Sequence, residues 1–394
     1  MKSVFVGLSG GVDSAVSAYL LKKEGYRVVG AFIKSWEPPF LSCTGARDRL
    51  EAMRVAAELG IPFVTYDLSD EYKRFVVDPF VAEYRAGGTP NPDGLCNRTI
   101  KFGAFWERAR ADGAELIATG HYAQIRAPFG ARAGAVPAAA MFSVSENREA
   151  GSRAHASAGE HGTRDHYALK RGTEDGFMLG ISPDGAKDQT YFLWQLTQDD
   201  LAHVLFPVGG LVKTEVRDIA RTAALPNAGR KDSQGLCFLG HVDMKEFLLR
   251  FIERSPGDVV DLSGKQIGHH EGLPFYTIGE RLPVAGPEKL YVIRKDREAN
   301  ALVAAPHSAD EAPASRTFEL ERVNWIRGTP EPGVRYGVQV RYHGEMLDAS
   351  VSARGGEAVI ETSSPTLAAE GQSLVVYDAA TKECMGGGII SVCR

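Results

Sequence analysis

A short glycine-rich segment near the start of the chain, Ser9–Ser14, carries the residue types that bind a phosphate group. Gly10 and Gly11 have no Cβ, so the backbone there can turn tightly enough for amide N–H groups to converge on an anion. The apolar run Val4–Val6 predicts a buried strand before it, and Ala15–Leu21 predicts a helix after it. The N-terminus of that helix would add N–H donors and the positive end of its dipole. The segment therefore predicts a phosphate cradle between a strand and a helix.

The residues around the glycines distinguish this loop from the commonest phosphate-binding loop. No Gly-Lys-Ser or Gly-Lys-Thr follows Gly11, as it would in a kinase-type P-loop. The sequence Ser-Gly-Gly-Val-Asp-Ser instead resembles the PP-loop of the ATP pyrophosphatases, which cleave ATP between the α and β phosphates and transfer AMP to an oxygen of the substrate. The resemblance implies that Asp13 holds Mg²⁺, because hard cations take oxygen ligands. The alternative is an ordinary strand-to-helix turn that Ser14 caps.

Strands and helices alternate through the first part of the chain. Apolar runs predict further strands at 26–34, 62–68 and 115–119, and helical spacing predicts helices at 46–59, 70–84 and 98–110. This alternation predicts an α/β fold with a doubly wound parallel sheet. Ligands of such sheets gather beyond the carboxyl ends of the strands. That edge is expected to hold the Ser9–Ser14 loop, Ile33-Lys34 and Gly120-His121.

The composition and the pattern of apolar residues change twice more along the chain. A low-complexity stretch at 127–166 predicts a surface insertion. From residue 256 onward, short alternating segments are separated by Gly, Pro, Asn and Asp, a pattern typical of a small antiparallel β-barrel. We therefore expect three domains: a PP-loop domain at 1–207, a small central domain at 208–282 that carries the Cys237 loop, and a C-terminal β-barrel domain at 283–394.

Composition and charge limit the classes of protein. With 394 residues, 44% hydrophobic and 24% charged, the chain is typical of globular proteins with more than one domain. A net charge of −5 argues against nucleic-acid binding by overall charge, but the basic stretch 206–231 is either a local basic surface for nucleic acid or a solvated helix face. No apolar run approaches the ~20 residues of a membrane span, and no signal peptide precedes the first strand. We expect a cytoplasmic protein without membrane contact.

The chain contains five cysteines, which form no Cys-x-x-Cys pair and no zinc spacing. An odd number without a signal peptide predicts reduced thiols. A lone cysteine is usually a small buried apolar residue, which we expect for Cys384 and Cys393 and favour for Cys43. Cys96 follows the turn sequence Asn-Pro-Asp-Gly, so we expect it to be exposed. The local sequence leaves open whether Cys237 is buried or catalytic.

Further stretches resemble a single family of PP-loop enzymes, the bacterial tRNA-specific 2-thiouridylases. The matching stretches are Thr89–Asn97, Ile100–Gly103, Ala118–Ala123, Lys187–Leu193, Lys231–Phe238 and Gly386–Ile390. They occur in the order of the family and extend almost to the end of the chain. The resemblance implies an ATP-dependent tRNA sulfurtransferase that adenylates C2 of the wobble uridine and replaces its oxygen with sulfur from a cysteine persulfide, forming 2-thiouridine.

The cysteines can be examined against this chemistry. Replacing the C2 oxygen requires a leaving group, which AMP supplies, and a sulfur nucleophile, which a persulfide supplies. Cys96 and Cys237 are the two cysteines inside the matching stretches. By resemblance, Cys237 carries the persulfide and Cys96 forms a transient disulfide with it. Arg230 and Lys231 shortly before Cys237 agree with this assignment, because nearby positive charge lowers a thiol pKa.

The same resemblance assigns the remaining site residues. Asp93 is the acid/base partner at the target base, in a pocket that Asn91 and Pro92 shape. The implied ATP contacts are Leu8, Ser9, Gly10, Gly11, Val12, Asp13, Ser14, Ile33 and Gly120. The implied tRNA contacts are His121, Lys187, Asp188, Gln189, Arg341, Tyr342 and Gln372.

Partners and cofactors follow from the same comparison. We expect ATP, Mg²⁺, tRNA and a sulfur-donor (persulfide-relay) protein, and a monomeric chain. An Fe–S cluster usually takes three or four cysteine ligands, and only two cysteines lie in the matching stretches, so we predict no Fe–S cluster. The chain departs from the family pattern in the 127–166 insertion, near 174–185, after Trp36, and at 280–286.

Two alternative functions stay open at this point. The first is a PP-loop enzyme that adenylates a carboxylate or amide, such as an amidotransferase-type synthetase, which would need an ammonia source that the sequence does not show. The second is a non-enzymatic tRNA or nucleotide binder with a decayed site. The intact Ser9–Ser14 loop, Asp93, Cys96 and Cys237 count against decay.

Overall fold

The computed structural model describes residues 1–38, 40, 44–126, 176–231, 244–283, 289–306 and 314–394. Three predictions fall outside the described residues: the 127–166 insertion, Cys43 and the loop with Cys237. No described helix has both the length and the hydropathy that a bilayer crossing requires.

The elements follow in chain order. The described strands are β1 Ser3–Gly7, β2 Arg27–Lys34, β3 Phe63–Asp67, β4 Leu116–Ala118, β5 Ala123–Arg126, β6 Met178–Ile181, β7 Val204–Leu205, β8 Gly257–Val260, β9 Gln266–His270, β10 Leu290–Asp296, β11 Ala301–Pro306, β12 Ser315–Trp325, β13 Arg335–Gln339, β14 Leu347–Arg354, β15 Glu357–Thr366, β16 Ser373–Asp378 and β17 Glu383–Cys393. The described α-helices are α1 Val12–Lys23, α2 Gly45–Glu58, α3 Ser69–Tyr72, α4 Asp78–Arg85, α5 Pro92–Cys96, α6 Phe105–Ala111, α7 Gln198–His203, α8 Lys213–Thr222 and α9 Met244–Leu248. Lys73–Val77 and Asn97–Ala104 are π-helical, and Thr190–Phe192 and Leu273–Phe275 are 3₁₀ turns.

The first sheet is parallel throughout, in the order β3-β2-β1-β4-β7. Successive residues of a strand face opposite sides, so Val4 and Val6 of β1 pack in one core with α1 and α2, while Phe5 packs in the other core with α4 and α6. This arrangement confirms the predicted doubly wound fold and the predicted strands. The loop after β1 and the loop after β4 meet at the carboxyl edge, where the strand order reverses.

The central sheet has the order β10-β11-β8-β9. Its four strands form one sheet, although the predicted domain boundary at 282 lies between β9 and β10. β11 pairs in parallel with β8, which keeps residues to Pro306 in the central domain, beyond the predicted boundary at 282. Helix α8 packs through Val216 and Ala220 into the core around α1. The PP-loop domain therefore extends past residue 207. Alternating β segments look alike in sequence on either side of residue 282, so the pattern alone did not separate them.

The C-terminal domain is a closed barrel in its described part, as predicted. Strands β12, β15, β14, β13, β16 and β17 pair in that order, and β17 pairs again with β12. Alternate residues of these strands form the barrel core, including Phe318, Val338 and Ile360. Strands β5 and β6 of the PP-loop domain form an antiparallel pair, and β6 also pairs with β17 of the barrel.

Polar contacts fix the barrel to the PP-loop domain. The Tyr191 hydroxyl donates to the Ser373 carbonyl at 2.7 Å, and Asn324 Nδ2 donates to the Trp194 carbonyl at 2.8 Å. Because these groups are wholly or partly buried, separating the two domains would leave them without partners. The barrel is thus bound to the PP-loop domain at the segment that contains Tyr191 and Trp194.

Candidate active site

The loop after β1 has the geometry of an anion cradle. Gly10 lies in the left-handed region, with φ +77°, and a Cβ there would lie 2.7 Å from the Asp48 carbonyl oxygen. Gly11 is the N-cap of α1, and no described side chain caps the helix. The amides of the first turn therefore point out of the helix end. Ser14 instead donates from Oγ to the Gly11 carbonyl at 3.1 Å, so it braces the loop and does not cap the helix.

Gly120, after β4, closes the other side of this loop. A Cβ on Gly120 would lie 2.7 Å from the Ser14 nitrogen and 2.9 Å from the Asp13 Cβ. The two loops at the switch point of the sheet are therefore in direct contact, as predicted, and only glycine fits there. Ile33 lies half-buried near the carboxyl end of β2, while Leu8 and Val12 are buried in the core.

Asp13 is paired with a lysine from a distant part of the chain. Lys213 Nζ donates to both carboxylate oxygens of Asp13, at 2.7 and 2.9 Å, and the Tyr122 hydroxyl donates to Oδ1 at 2.8 Å. Both oxygens are thus already engaged, and the cation beside the loop is an ammonium group. Each carboxylate oxygen keeps a further lone pair, so the role of Asp13 as a Mg²⁺ ligand stays a prediction. The described residues contain no cluster of three metal-binding side chains.

Other residues of the basic stretch also contact the loop. Asn227 Nδ2 and Arg230 Nη1 donate to the Gly10 carbonyl at 2.8 and 3.2 Å, and Arg230 also pairs with Asp48. Arg217 donates to the Arg230 carbonyl at 3.1 Å. Much of the positive charge predicted to face tRNA, or to raise the reactivity of Cys237, is therefore used to hold this loop in place.

The predicted base-pocket residues form the beginning of a helix. Asn91 is the N-cap of α5, its side chain accepts a hydrogen bond from the Gly94 amide at 3.2 Å, and Pro92 occupies the first helical turn. Asp93 is half-buried, and Cys96 is only 3% exposed. The prediction that Cys96 is exposed is wrong, because the Asn-Pro-Asp-Gly sequence starts a helix that turns Cys96 toward the core.

An aromatic cluster at the barrel contact lies beside this helix. Tyr342 packs against Phe192 with ring centroids 4.4 Å apart, and Asn97, next to Cys96, donates to the Phe192 carbonyl at 3.0 Å. Burial and then the carboxylates of Asp188 and Asp93 raise the pKa of Tyr342. The structure thus brings Asp93, Asp188 and Tyr342 together from three separate stretches of the sequence.

A cavity of about 260 Å³ opens next to this cluster. Its lining includes Asp188, Tyr191, Gln339, Tyr342, His343 and Gly344. The His343 ring stacks on Tyr342 with centroids 3.9 Å apart, so one wall is aromatic. The Asp188 carboxyl, which accepts from Ser182 and Thr190, and the Gln339 amide, which donates to the Gly344 carbonyl, line other walls. Aromatic stacking with nearby hydrogen-bonding groups is how proteins hold an unstacked nucleobase.

The remaining predicted tRNA contacts occupy different environments. His121 is buried and is therefore not placed as a surface contact. Gln189 is half-buried, and its side-chain carbonyl accepts the Tyr122 amide at 2.9 Å. Arg341 is exposed, and Lys187 and Gln372 are half-buried. Arg341 lies beside the aromatic cluster and is therefore the better placed cation for a phosphate.

His121 is held in its neutral form. Burial, and then the nearby Lys101 ammonium, keep the pKa of His121 well below its ordinary value of 6.5. Lys101 Nζ lies 3.4 Å from Nε2, and Thr119 Oγ1 lies 2.7 Å from Nδ1. With Lys101 as a donor, Nδ1 carries the ring proton and donates to Thr119. The buried His121 therefore stabilises the loop after β4 through its hydrogen bond to Thr119.

Comparison with known families divides the chain in the same way as its sheets. The family described as "tRNA methyl transferase HUP domain" matches residues 2–141 and 152–241, "tRNA methyl transferase PRC-barrel domain" matches 245–306, and "Aminomethyltransferase beta-barrel domain" matches 315–390. A protein of Bordetella avium named "tRNA-specific 2-thiouridylase MnmA" is 39% identical over 404 residues, 98% of this chain and 97% of its own. The protein of that name from Methylibium petroleiphilum is 41% identical over 410 residues, 98% of each chain.

The chain belongs to the tRNA-specific 2-thiouridylase family.

One solved structure that resembles the chain is a more distant match than these 2-thiouridylase relatives. "Crystal structure of a 4-thiouridine synthetase - RNA complex with bound ATP" covers 63% of this chain and 50% of its own, with a TM-score of 0.32 and 17% identity. That likeness is too low to carry an inference. Membership of the 2-thiouridylase family favours the first of the three predicted functions over the amidotransferase-type and non-enzymatic alternatives.

Sequence reasoning missed several residues of the site. Lys213, Tyr122, Asn227 and Arg230 hold the nucleotide loop, although only the charge of the basic stretch was noticed. Phe192 lies within a matching stretch, and its aromatic type was a usable signal for the base-side cluster. No spacing rule links Lys213 with Asp13, which lie 200 positions apart.

The neutral state of His121 predicts a pH-dependent stability. Because the pKa of His121 is lower in the folded than in the unfolded protein, unfolding takes up a proton below about pH 6.5. As the pH falls below that value, this group lowers the free energy of unfolding by about 1.4 kcal/mol per pH unit. His121→Gln should flatten the fall in thermal unfolding midpoint between pH 7 and pH 5.5. The exposed His269→Gln variant should keep the slope of the parent, and parallel slopes for all three proteins would contradict the assignment.

Proposed function

We propose that this chain is an ATP-dependent tRNA sulfurtransferase that replaces the C2 oxygen of the wobble uridine with sulfur. The observation that carries the proposal is near-full-length similarity to proteins named tRNA-specific 2-thiouridylase, at about 39% identity. The intact loop at the carboxyl edge of the parallel sheet and the pocket beside Asp93 support it. The loop after β1 would serve the activation of the oxygen, and the region around Asp93 and Cys96 would serve the delivery of sulfur.

Activation belongs to the loop after β1. The amides at the N-terminus of α1 would hold the pyrophosphate part of ATP, because they carry unpaired N–H groups and the positive end of the helix dipole. Lys213 would add positive charge at the same place, 13% exposed beside Asp13. Attack of the uridine C2 oxygen on the α-phosphorus then forms an adenylated base and releases pyrophosphate.

The base end is the cluster around Asp93. We propose that the target uracil leaves its stack and rests on the Tyr342 side of the cavity, where Arg341 is available to a phosphate. Asp93, half-buried at the start of α5, would exchange the N3 proton as the C2 oxygen becomes nucleophilic and as the thiocarbonyl forms. Asn91 caps α5 and so fixes the first turn of the helix, which carries Asp93.

Sulfur delivery is assigned to Cys237 and Cys96. The terminal sulfur of a Cys237 persulfide attacks C2, and AMP leaves with the original oxygen. The Cys96 thiolate then attacks the Cys237 sulfur, which breaks the bond to the transferred sulfur, forms a Cys96–Cys237 disulfide and leaves 2-thiouridine. A dithiol reductant restores both thiols, and a persulfide-donor protein reloads Cys237. The described Cys96 is buried, so this step requires α5 to expose it when the substrate is bound. We propose that a single chain suffices for the reaction.

Removal of Lys213 distinguishes a nucleotide role from a tRNA role for the basic stretch. In Lys213→Met the Asp13 carboxylate is left uncompensated beside the triphosphate, so ATP affinity should fall by about tenfold or more, about 1.4 kcal/mol. Affinity for tRNA should stay within about twofold, since few phosphate contacts are lost. The measurement is titration calorimetry with a non-hydrolysable ATP analogue and filter binding with tRNA.

Arg221→Met is the matched control, because Arg221 lies on the same helix and pairs with Asp218 at the surface. It should leave ATP affinity unchanged. A loss of tRNA affinity in Lys213→Met with unchanged ATP affinity would contradict the assignment and restore the tRNA-facing interpretation.

Replacement of single cysteines tests the sulfur path. With ATP, Mg²⁺, tRNA and a persulfide donor, Cys96→Ser and Cys237→Ser should each abolish 2-thiouridine, measured by mass spectrometry of tRNA nucleosides. Cys393→Ser, in the barrel, should retain the rate of the parent. After turnover without reductant, peptide mapping of the parent should find a Cys96–Cys237 disulfide. Unchanged thiolation by Cys237→Ser would refute the assignment and make Cys43 the next candidate.

A further inference from the structure

The segment just before the base-pocket helix receives contacts from both of the other domains. Gly87–Thr89 follows α4 and leads within two residues to Asn91, the cap of α5. The central domain contacts it through β10, and the barrel contacts it through the turn Ala369–Gln372. Asp93 and Cys96 thus lie in the first turns of a longer helical run, and residues far away in sequence contact the segment that enters it.

The barrel side of this contact is a backbone approach that requires glycine. The Thr89 amide donates to the Glu370 carbonyl at 2.8 Å. Gly371 has φ +89°, and a Cβ there would lie 2.9 Å from the Thr89 nitrogen and 3.3 Å from its carbonyl carbon. Any side chain at position 371 would therefore push on Thr89 as well as strain its own backbone.

The central domain contributes a lysine to the other side of the segment. Lys295 Nζ, on β10, donates to the Gly87 carbonyl at 3.1 Å, and the Arg297 guanidinium lies over the same glycine. Burial lowers the pKa of Lys295 to about 8, as expected for an amine enclosed between domains. We call Lys295 together with the Glu370–Gly371 peptide the loop clamp.

The barrel half of the loop clamp is continuous with a residue assigned to tRNA. Gln372 follows Gly371 directly, and the Gln372 carbonyl accepts the Ile390 amide at 2.8 Å, which ties the turn to strand β17. A tRNA that contacts the turn at Gln372 and places its target base at Asp93 would contact two points of the protein. These two points are connected by the short segment that contains Thr89. The path contains backbone contacts and no long flexible side chain on the barrel side.

We propose that the loop clamp positions the base-pocket helix, so that Asp93 reaches its working geometry only while the barrel and the central domain are seated on Gly87–Thr89. The inference rests on the proposed function, because it assigns these residues a positioning role in the same reaction. Misplacement of reacting groups by about 1 Å can cost about 10²-fold in rate, so a small shift of Thr89 is sufficient. Neither Lys295 nor the Glu370–Gly371 peptide lines the cavity beside Tyr342.

Two substitutions loosen the clamp from its two sides. Gly371→Ala introduces the Cβ that meets Thr89, and Lys295→Met removes the hydrogen bond to Gly87. The matched controls are Gly355→Ala, in the same barrel with φ +64° and nothing within 4 Å of its Cβ, and Lys265→Met, exposed in the central domain. Each control repeats the chemical change without contact to the segment.

Steady-state thiolation of tRNA by the full chain provides the first measurement. Gly371→Ala should lower kcat by about tenfold or more while KM for tRNA stays within about twofold, and Lys295→Met should lower kcat in the same direction. Both controls should keep the kcat of the parent. An equal fall in Gly371→Ala and Gly355→Ala, or an unchanged kcat in both clamp variants, would overturn the inference.

Alkylation of Cys96 by a small maleimide gives a readout that does not depend on activity. The rate should rise in both clamp variants, because α5 leaves its buried position more often, and should match the parent in both controls. If the parent makes no 2-thiouridine, the proposed function fails, while the alkylation rates still decide whether the clamp holds α5. Equal alkylation in all five proteins would refute the clamp.

Discussion

The ion pair between Asp13 and Lys213 joins the first helix of the chain to a helix that begins 200 positions later. It closes the PP-loop domain across the carboxyl edge of its sheet, and it places a positive charge where an anion would enter. Asn227 and Arg230 bind the carbonyl of Gly10 from the same side. The loop is therefore shaped by the end of its own domain, and a folded loop requires that the whole domain is folded.

A second constraint acts at the base side of the site. Asp93 and Cys96 lie in α5, the first part of a helical run that continues through the π-helical segment Asn97–Ala104 into α6. Its position depends on Asn91, on Asn97 bound to the Phe192 carbonyl, and on contacts that the other two domains make just before it. This dependence explains in physical terms why a barrel that carries no proposed catalytic residue belongs to the enzyme.

Features encoded within about ten neighbouring residues could be predicted from the sequence. The strand, glycine loop and first helix occur where they were expected, because apolar periodicity and glycine conformations are local properties, although β1 and α1 extend beyond the predicted Val4–Val6 and Ala15–Leu21. The exposure of Cys96 was mispredicted, although Asn91 followed by Pro92 also reads as a helix start. The partner of Asp13 and the limits of the central sheet depend on contacts between distant segments, such as β8 with β11, which no local pattern specifies.

The central claim is that the oxygen lost from uridine leaves with AMP. A tRNA carrying ¹⁸O at C2 of the wobble uridine, incubated with the full chain, ATP, Mg²⁺ and a persulfide donor, tests this claim directly by mass spectrometry of the nucleotide products. One ¹⁸O atom should appear in AMP for each 2-thiouridine formed, and pyrophosphate should stay unlabelled. Unlabelled AMP, or ¹⁸O in inorganic phosphate released together with ADP, would contradict the account.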